Sequence, residues 1–294
     1  MPRNCVLFSH HGGHADFFAH GLCVAIESVR LTNPSVPIVV LHNGLTAAEQ
    51  ASLRGCRVIH VGEPLFEATH RPDLTAATFF KFHVAQLEAF DRVLYLDSDL
   101  VVLDSLDDVF EMPGVLAARR QEFSLADEFS DPALVARREG LSDDGPFPNG
   151  GVICFDREFW ASEQILAQAR RIADEYGPSA FLNADQGILT ILAHRYGGFA
   201  ELPIAYNYCR WPDMVSAGDI AVAKNRLGLF APLVQNPGHG VPPADDHLAH
   251  PTRGRLASIV HWNGPVKPWE FQARDGEQFV SICYEQVRAR LLPA

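Results

Sequence analysis

No apolar run in this chain of 294 residues approaches the roughly 20 residues that a bilayer-spanning helix needs. The N-terminal apolar stretch in MPRNCVLFSHHGG is too short for a secretory signal, and it runs straight into what reads as a strand. The six cysteines, Cys5, Cys23, Cys56, Cys154, Cys209 and Cys283, show no CxxC or other ligand spacing. Most lie in apolar runs such as CVLF and GVICF, where a thiol acts as a small buried hydrophobe. Reduced, structural cysteines point to a cytoplasmic setting, while peripheral membrane contact and a homodimer stay open. Positive charge is short as well: 24 Lys and Arg stand against 36 Asp and Glu, a net charge of -12. Nucleic-acid binders gain affinity by neutralising phosphates with Lys and Arg, so a DNA or RNA partner is excluded. A single nucleotide is still admissible, because a divalent cation can supply positive charge locally. Internal repeats, low-complexity tracts and a clear interdomain linker are also missing.

What is present is core material. The chain is 47% apolar and 20% charged, enough for one large α/β domain over 1–294, with a nucleotide-binding half at 1–110 and an acceptor-binding half at 111–294. Strand and helix signals alternate through the first hundred residues. Cys5–Ser9, Pro37–Leu41, Arg57–Val61 and Arg92–Leu96 read as strands. Between them, Asp16–Arg30 places Phe18, Leu22, Ala25, Ile26 and Val29 on one helical face. Thr46 and Glu49 form a capping-box signature, and Thr75–Phe90 reads as a further helix. Strands separated by helices imply a mostly parallel, Rossmann-like sheet. Further on, 119–148 reads as a long loop or short helices over the site. Gly151–Phe155 reads as a buried strand, Arg157–Tyr176 and Ile188–His194 as helices, 225–255 as an extended surface loop, and about 276–292 as a closing helix.

The strongest chemical signal is Asp97-Ser98-Asp99 after the apolar Arg92–Leu96. In an extended chain, residues i and i+2 project to one side, so both carboxylates can converge on one cation. Ligands of open α/β sheets bind where strands end. Asp also terminates strands for local reasons, and a DxD alone fits either role. A second segment, His261-Trp-Asn-Gly264-Pro-Val-Lys267-Pro-Trp269, follows the apolar Leu256–Val260. It offers an imidazole to a cation, a glycine that lets backbone N–H groups approach a phosphate, and a lysine point charge. A Trp-rich surface turn would look the same.

Taken together, these segments resemble glycosyltransferase family 8, which includes glycogenin and bacterial lipooligosaccharide galactosyltransferases. The resemblance extends to Phe79-Phe80-Lys81-Phe82, Pro148-Asn149-Gly150-Gly151-Val152, Asn183-Ala-Asp185-Gln186-Gly187 and Leu202-Pro203…Tyr206-Asn207, in family order from about Ser9 to Trp269. It implies an α/β GT-A fold with a mixed sheet flanked by helices, and retaining transfer of a sugar from a UDP-sugar. Asp97, Asp99 and His261 would bind the metal, with Mn²⁺ suited somewhat better than Mg²⁺ to a set that includes nitrogen. Lys267 and the Gly264 amide would hold the diphosphate, with Asp97 also at the ribose. Ser9, Ser98, Asn149 and Gly150 would complete the donor contacts. Lys81, Asp185 and Gln186 would serve the transfer step, Lys81 near donor hydroxyls or phosphate and Asp185 on the sugar hydroxyls. An amide is a poor nucleophile, so Gln186 fits a front-face substitution in which it stabilises charge on the sugar ring. The first loop departs from the family pattern. His10-His11-Gly12-Gly13-His14 stands where Thr and Asn are usual, and Asp16 and Phe18 take the base-edge and base-stacking places. The acceptor, a sugar, a lipid-linked sugar or a small molecule, is not legible. Two other readings share the layout: a sugar nucleotidyltransferase, and a non-catalytic nucleotide-sugar binding protein.

Overall fold

The computed structural model describes residues 3–66, 74–209, 222–232, 234, 256–263, 267–270 and 278–291. Among them the strands, in chain order, are β1 (Asn4–His11), β2 (Ile38–Asn43), β3 (Arg57–His60), β4 (Arg92–Leu96), β5 (Leu100–Val102), β6 (Leu116–Arg120), β7 (Pro148–Asp156), β8 (Ala200–Glu201), β9 (Tyr208–Cys209), β10 (Val222–Lys224), β11 (Phe230–Pro232) and β12 (Ile259–His261). The chain divides into two compact units. The first comprises Met1–His14, Pro37–Asp97 and Phe110–Leu202; the second comprises Ala15–Val36, Ser98–Val109 and Pro203–Ala294.

The first unit is built on a seven-stranded sheet ordered β3-β2-β1-β4-β7-β6-β8. Strands β3, β2, β1 and β4 run parallel to one another, whereas β7 is antiparallel to both β4 and β6. β1 and β4 carry continuous runs of buried residues, Cys5–Phe8 and Val93–Leu96, as strands covered on both faces must. Leu7, Leu41, Val93, Tyr95, Ile153 and Phe155 belong to one hydrophobic cluster that also takes in Phe79, Phe80 and Phe82. These three come from Ala76–Gln86, which is a 3₁₀ helix rather than the α-helix expected over Thr75–Phe90. The expected helix Arg157–Tyr176 is two, Arg157–Ser162 and Ile165–Tyr176, because Gln164 between them is left-handed with φ 52°. Thr46 caps Ala47–Ser52 with the full reciprocal capping box. The 119–148 segment holds the end of β6 and two helices, Leu125–Glu128 and Pro132–Glu139.

In the second unit, a three-stranded sheet ordered β5-β12-β9 sets β12 between two partners distant in sequence. A π-helical turn, Phe17–Leu22, leads into the α-helix Cys23–Thr32, which replaces the uninterrupted helix expected there. Its Val24 shares a cluster with Val101, Leu103, Val260, Trp262, Tyr284 and Val287, the last two from the helix Gln278–Arg288. β11, paired antiparallel with β10, lies inside the stretch 225–255 read as loop, and most of 233–255 lies outside the described residues. No helix among the described residues is long and apolar enough to cross a membrane.

Candidate active site

In the first unit, the sheet order turns about β1 and β4, and the C-terminal ends of strands at such a point are where open α/β sheets bind ligands. Ser9 on β1 and Tyr95 on β4 meet there. The Ser9 hydroxyl lies 3.0 Å from the Tyr95 hydroxyl, which in turn donates to Asp97 Oδ1 at 2.7 Å. Residues i and i+2 share a face of an extended chain, so Tyr95 is placed to orient the carboxylate that follows it. The Asp97 N–H donates to the Gly151 carbonyl at 2.8 Å, tying the acidic motif to the start of β7. Asn149, buried, accepts from the Gly151 N–H through Oδ1 at 3.0 Å.

Beside that turn is a dense polar network. Lys81 is fully buried; its Nζ pairs with Asp185 Oδ2 at 2.6 Å, donates to the Gly150 carbonyl, and lies 4.2 Å from the Tyr95 ring centroid. Thr78 donates its hydroxyl to the other oxygen of Asp185. Burial lifts the Asp185 carboxyl above the usual carboxylate range against the pull of Lys81. Next in sequence, Gln186 accepts from the Gly150 N–H at 3.1 Å and donates to Gln121 Oε1 at 3.0 Å and to Glu128. Asp185 and Gln186 begin the helix Asp185–Arg195, and Ala184 ahead of them has φ 54° and ψ -114°, a left-handed φ that costs a non-glycine residue. Gly150 is needed here for space: a Cβ would stand 2.9 Å from Asp185 Oδ2.

The second unit holds the other half of the predicted chemistry. Register in the three-stranded sheet sets His261 opposite Leu100 and Cys209, and the Trp262 N–H donates to the Asp99 carbonyl at 3.0 Å. His261 Nε2 comes within 3.3 Å of Asp99 Oδ1, while Lys267 Nζ bonds Asp99 Oδ2 at 2.7 Å. On the far side of the ring, Nδ1 is 3.0 Å from Asn207 Oδ1 and therefore carries a hydrogen. That bond fixes the tautomer and aims Nε2 at Asp99, as outer partners of metal-binding histidines do. Burial alone would push the imidazole pKa down; the adjacent Asp99 carboxylate outweighs it and lifts the group to about 10. Asp99, despite its own burial, is held well below the usual range by Lys267 and His261. A cation bound here would take the place of the Nε2 proton, since ligation takes the neutral imidazole.

Asp97 is joined to Asp99 through one residue, so covalent connection keeps the two acids neighbours. Asp97, Asp99 and His261 each offer a ligand atom, and they are the one group of acidic, His and Cys side chains close enough to hold an ion among the described residues. The donor set, two carboxylates and an oriented imidazole, fits a divalent metal.

Of the other residues singled out by sequence, Asp16 is exposed and Phe18 buried. Phe17, beside them, packs edge-on against Trp269 with ring centroids 5.2 Å apart and lies 5.7 Å from Lys267 Nζ. Gly264 lies outside the described residues. In the histidine loop, Gly12 has a structural reason: a Cβ there would fall 2.5 Å from the Gly44 carbonyl oxygen. His11 and His14 rings are 6.2 Å apart, and the histidines of this loop form no ion-holding group among the described residues. Sequence reasoning missed Tyr95, Thr78, Gln121 and Glu128, and quoted Asn207 without a role. An apolar-run tyrosine reads as core, and only the register of β12 and β9 discloses what Asn207 does.

The family model "Glycosyl transferase family 8" matches residues 13–273. Glycosyltransferase GlyB of Streptococcus pneumoniae is 24% identical over 215 residues, 72% of this chain and 43% of GlyB. Glycogenin-1 of Mus musculus is 24% identical over 207 residues, 68% of this chain and 44% of glycogenin-1. The chain thus spans less than half the length of these relatives. Among solved structures, the galactosyltransferase LgtC in complex with donor and acceptor sugar analogs superposes with a TM-score of 0.69 at 20% identity, over 99% of this chain and 97% of LgtC. GlyE of S. pneumoniae superposes at 0.58 and 20% identity over 98% of this chain and 63% of GlyE. The family model covers most of the chain and the parallel-dominated sheet agrees with the architecture of its solved neighbours: this chain belongs to glycosyl transferase family 8 and has the GT-A fold.

Proposed function

We propose that this chain is a metal-dependent, retaining glycosyltransferase that moves a hexose from a UDP-sugar to a sugar, lipid-linked or small-molecule acceptor. The observation that carries the reading is the approach of His261 Nε2 to Asp99, with Asn207 taking the Nδ1 hydrogen. A histidine oriented in this way beside paired acids is prepared chemistry for a cation rather than a strand ending. Asp97, Asp99 and His261 hold the ion, Mn²⁺ in preference to Mg²⁺ because one donor is nitrogen. When bound, the ion neutralises the diphosphate as it leaves, worth several kcal/mol in the transition state.

The remaining roles fall to the chain's own groups. Lys267 exchanges its bond with Asp99 for the diphosphate, beside the Gly264 amide. Ser9, Ser98, Asn149 and Gly150 shape the donor pocket, Asp97 also meets the ribose, and Asp16 and Phe18 take the base. Lys81 and Asp185 order the sugar hydroxyls, and the Gln186 oxygen stabilises positive charge that builds on the ring. Gln186 forms no covalent bond in this scheme, so substitution occurs on the front face and departing UDP accepts the acceptor's proton.

Calorimetry with UDP, with and without Mn²⁺, tests the reading. Metal-dependent binding that disappears in Asp99→Ala is expected; equal binding of UDP without metal would end the catalytic assignment. A screen of UDP-sugars that follows UDP release then fixes the donor.

A further inference from the structure

Glu128 ends the short helix Leu125–Glu128 and has no solvent exposure. Its Oε1 accepts from Gln186 Nε2 and from Asn183 Nδ2, the latter at 3.2 Å. Its Oε2 is equally buried and meets no hydrogen-bond partner among the described residues. A buried polar atom without a partner calls for an explanation. With two N–H donors on Oε1, a proton on this acid resides on Oε2. Burial pushes the carboxyl up to about 8; the Gln186 and Asn183 amides work against that, and the charges of Asp185 and Asp127 add to it. Lys81, paired with Asp185, mutes the first of those charges.

The bonds around Gln186 have a directional logic. The Gly150 N–H can only donate, so it requires the amide oxygen of Gln186 on its side. Gln121 could turn its own amide to suit either orientation. Glu128 Oε1, already receiving the Asn183 amide, can only accept, so it requires the Gln186 NH₂ on its side. Turning Gln186 over would set donor against donor at Gly150 and acceptor against acceptor at Glu128, and leave both buried groups unpaired.

We propose that Glu128 is a positioning residue for glycosyl transfer: with the Gly150 amide it locks Gln186 so that the oxygen, and not the NH₂ group, meets the positive charge that develops on the donor sugar. The inference rests on the role given to Gln186 above. An inverted amide would present hydrogens to that charge and oppose the transfer step while leaving most of the donor's binding contacts intact.

Glu128→Gln reproduces the neutral acid in shape and keeps an acceptor for Gln186; Glu128→Leu removes the acceptor. Both are made in the full chain and assayed with a UDP-sugar and Mn²⁺. Glu128→Leu is expected to lower kcat by about tenfold or more while the donor KM stays within about threefold, because an interaction made in the transition state is lost and ground-state binding is kept. Glu128→Gln is expected to retain kcat at pH 7. The folded carboxyl titrates near 8 against an ordinary 4.5, so the unfolded chain sheds its proton first and the native protein loses stability as pH rises between those values. Glu128→Gln escapes that loss. Its melting temperature is expected to match the native protein at pH 4.5 and to exceed it at pH 8. Unchanged kcat in a folded Glu128→Leu overturns the proposal, and so does Glu128→Gln as impaired as Glu128→Leu, or a melting difference independent of pH. Should Glu128→Leu fail to fold, the Glu128→Gln rate and melting series decide alone. A native chain that binds no UDP with Mn²⁺ refutes the transferase reading instead, whereas an active native chain indifferent to residue 128 refutes only this inference.

Discussion

Gly150→Ala is the most direct probe of the network beneath the proposed donor site. A Cβ at this position stands 2.9 Å from Asp185 Oδ2 and 3.5 Å from Lys81 Nζ. The carboxylate has little room to yield, because Thr78 and Lys81 hold its two oxygens and the residue is buried. Relief therefore moves either the Lys81–Asp185 pair or the backbone of β7 by a few tenths of an ångström. Overpacking of this kind costs about 1–3 kcal/mol, which for a chain of this length lowers the melting temperature by roughly 2–6 °C. If the displaced Asp185 and Gln186 lose the same amount from the transition state, kcat falls roughly fivefold to 150-fold. Gly62→Ala is the control, since nothing stands within 4 Å of a Cβ there, and its effect should stay within about 0.5 kcal/mol. Thermal melts and steady-state transfer of both variants give the answer. Gly150→Ala indistinguishable from Gly62→Ala would refute the packing argument.

Three further perturbations test other parts of the molecule. Asn207→Leu removes the acceptor of the His261 Nδ1 hydrogen, and Mn²⁺ affinity in the presence of UDP should fall about 10- to 100-fold by titration. Lys81→Met strands Asp185 in the interior, so denaturant unfolding should show a loss of about 3–5 kcal/mol, partly restored by adding Asp185→Asn. His10 and His83 are held near 4 mainly by burial, against an ordinary 6.5. The unfolded chain binds protons first as pH falls, so their contribution, up to about 3 kcal/mol each, is present above 6.5 and lost between 6.5 and 4. His83→Gln should flatten the acid limb of a stability–pH curve, and an unchanged limb would show that His83 is not responsible.

Much of the sheet was legible because its strands announce themselves. Val93–Leu96 and Cys5–Phe8 are continuous apolar runs, and burial on both faces leaves such runs few alternatives. The capping box at Thr46 and Glu49 was equally plain, being local chemistry. What escaped depends on distant partners. AATFFKFHVAQ has the composition of an α-helix, and nothing local discloses that it winds as 3₁₀. Glu128 lies in a polar, charged stretch that reads as a solvated face, yet it is fully enclosed. Tyr95 looks like one more core aromatic until β1 supplies Ser9 to its hydroxyl. The candidate ion-holding group was legible through two segments far apart, but what orients the imidazole, Asn207, follows only from strand pairing. Propensity and periodicity describe neighbours along the chain, whereas the site is made of neighbours across it.

Ala184 imposes a constraint on anyone seeking a hardier version of this protein. A glycine there would relax a conformation that costs an L-residue about 1–3 kcal/mol, so selection for heat resistance alone should favour it. The same exchange unclamps the start of the helix that delivers Asp185 and Gln186. With Asp185 and Gln186 in the roles proposed above, selection for ruggedness and selection for turnover would pull this one position in opposite directions, as is common where active sites retain strain.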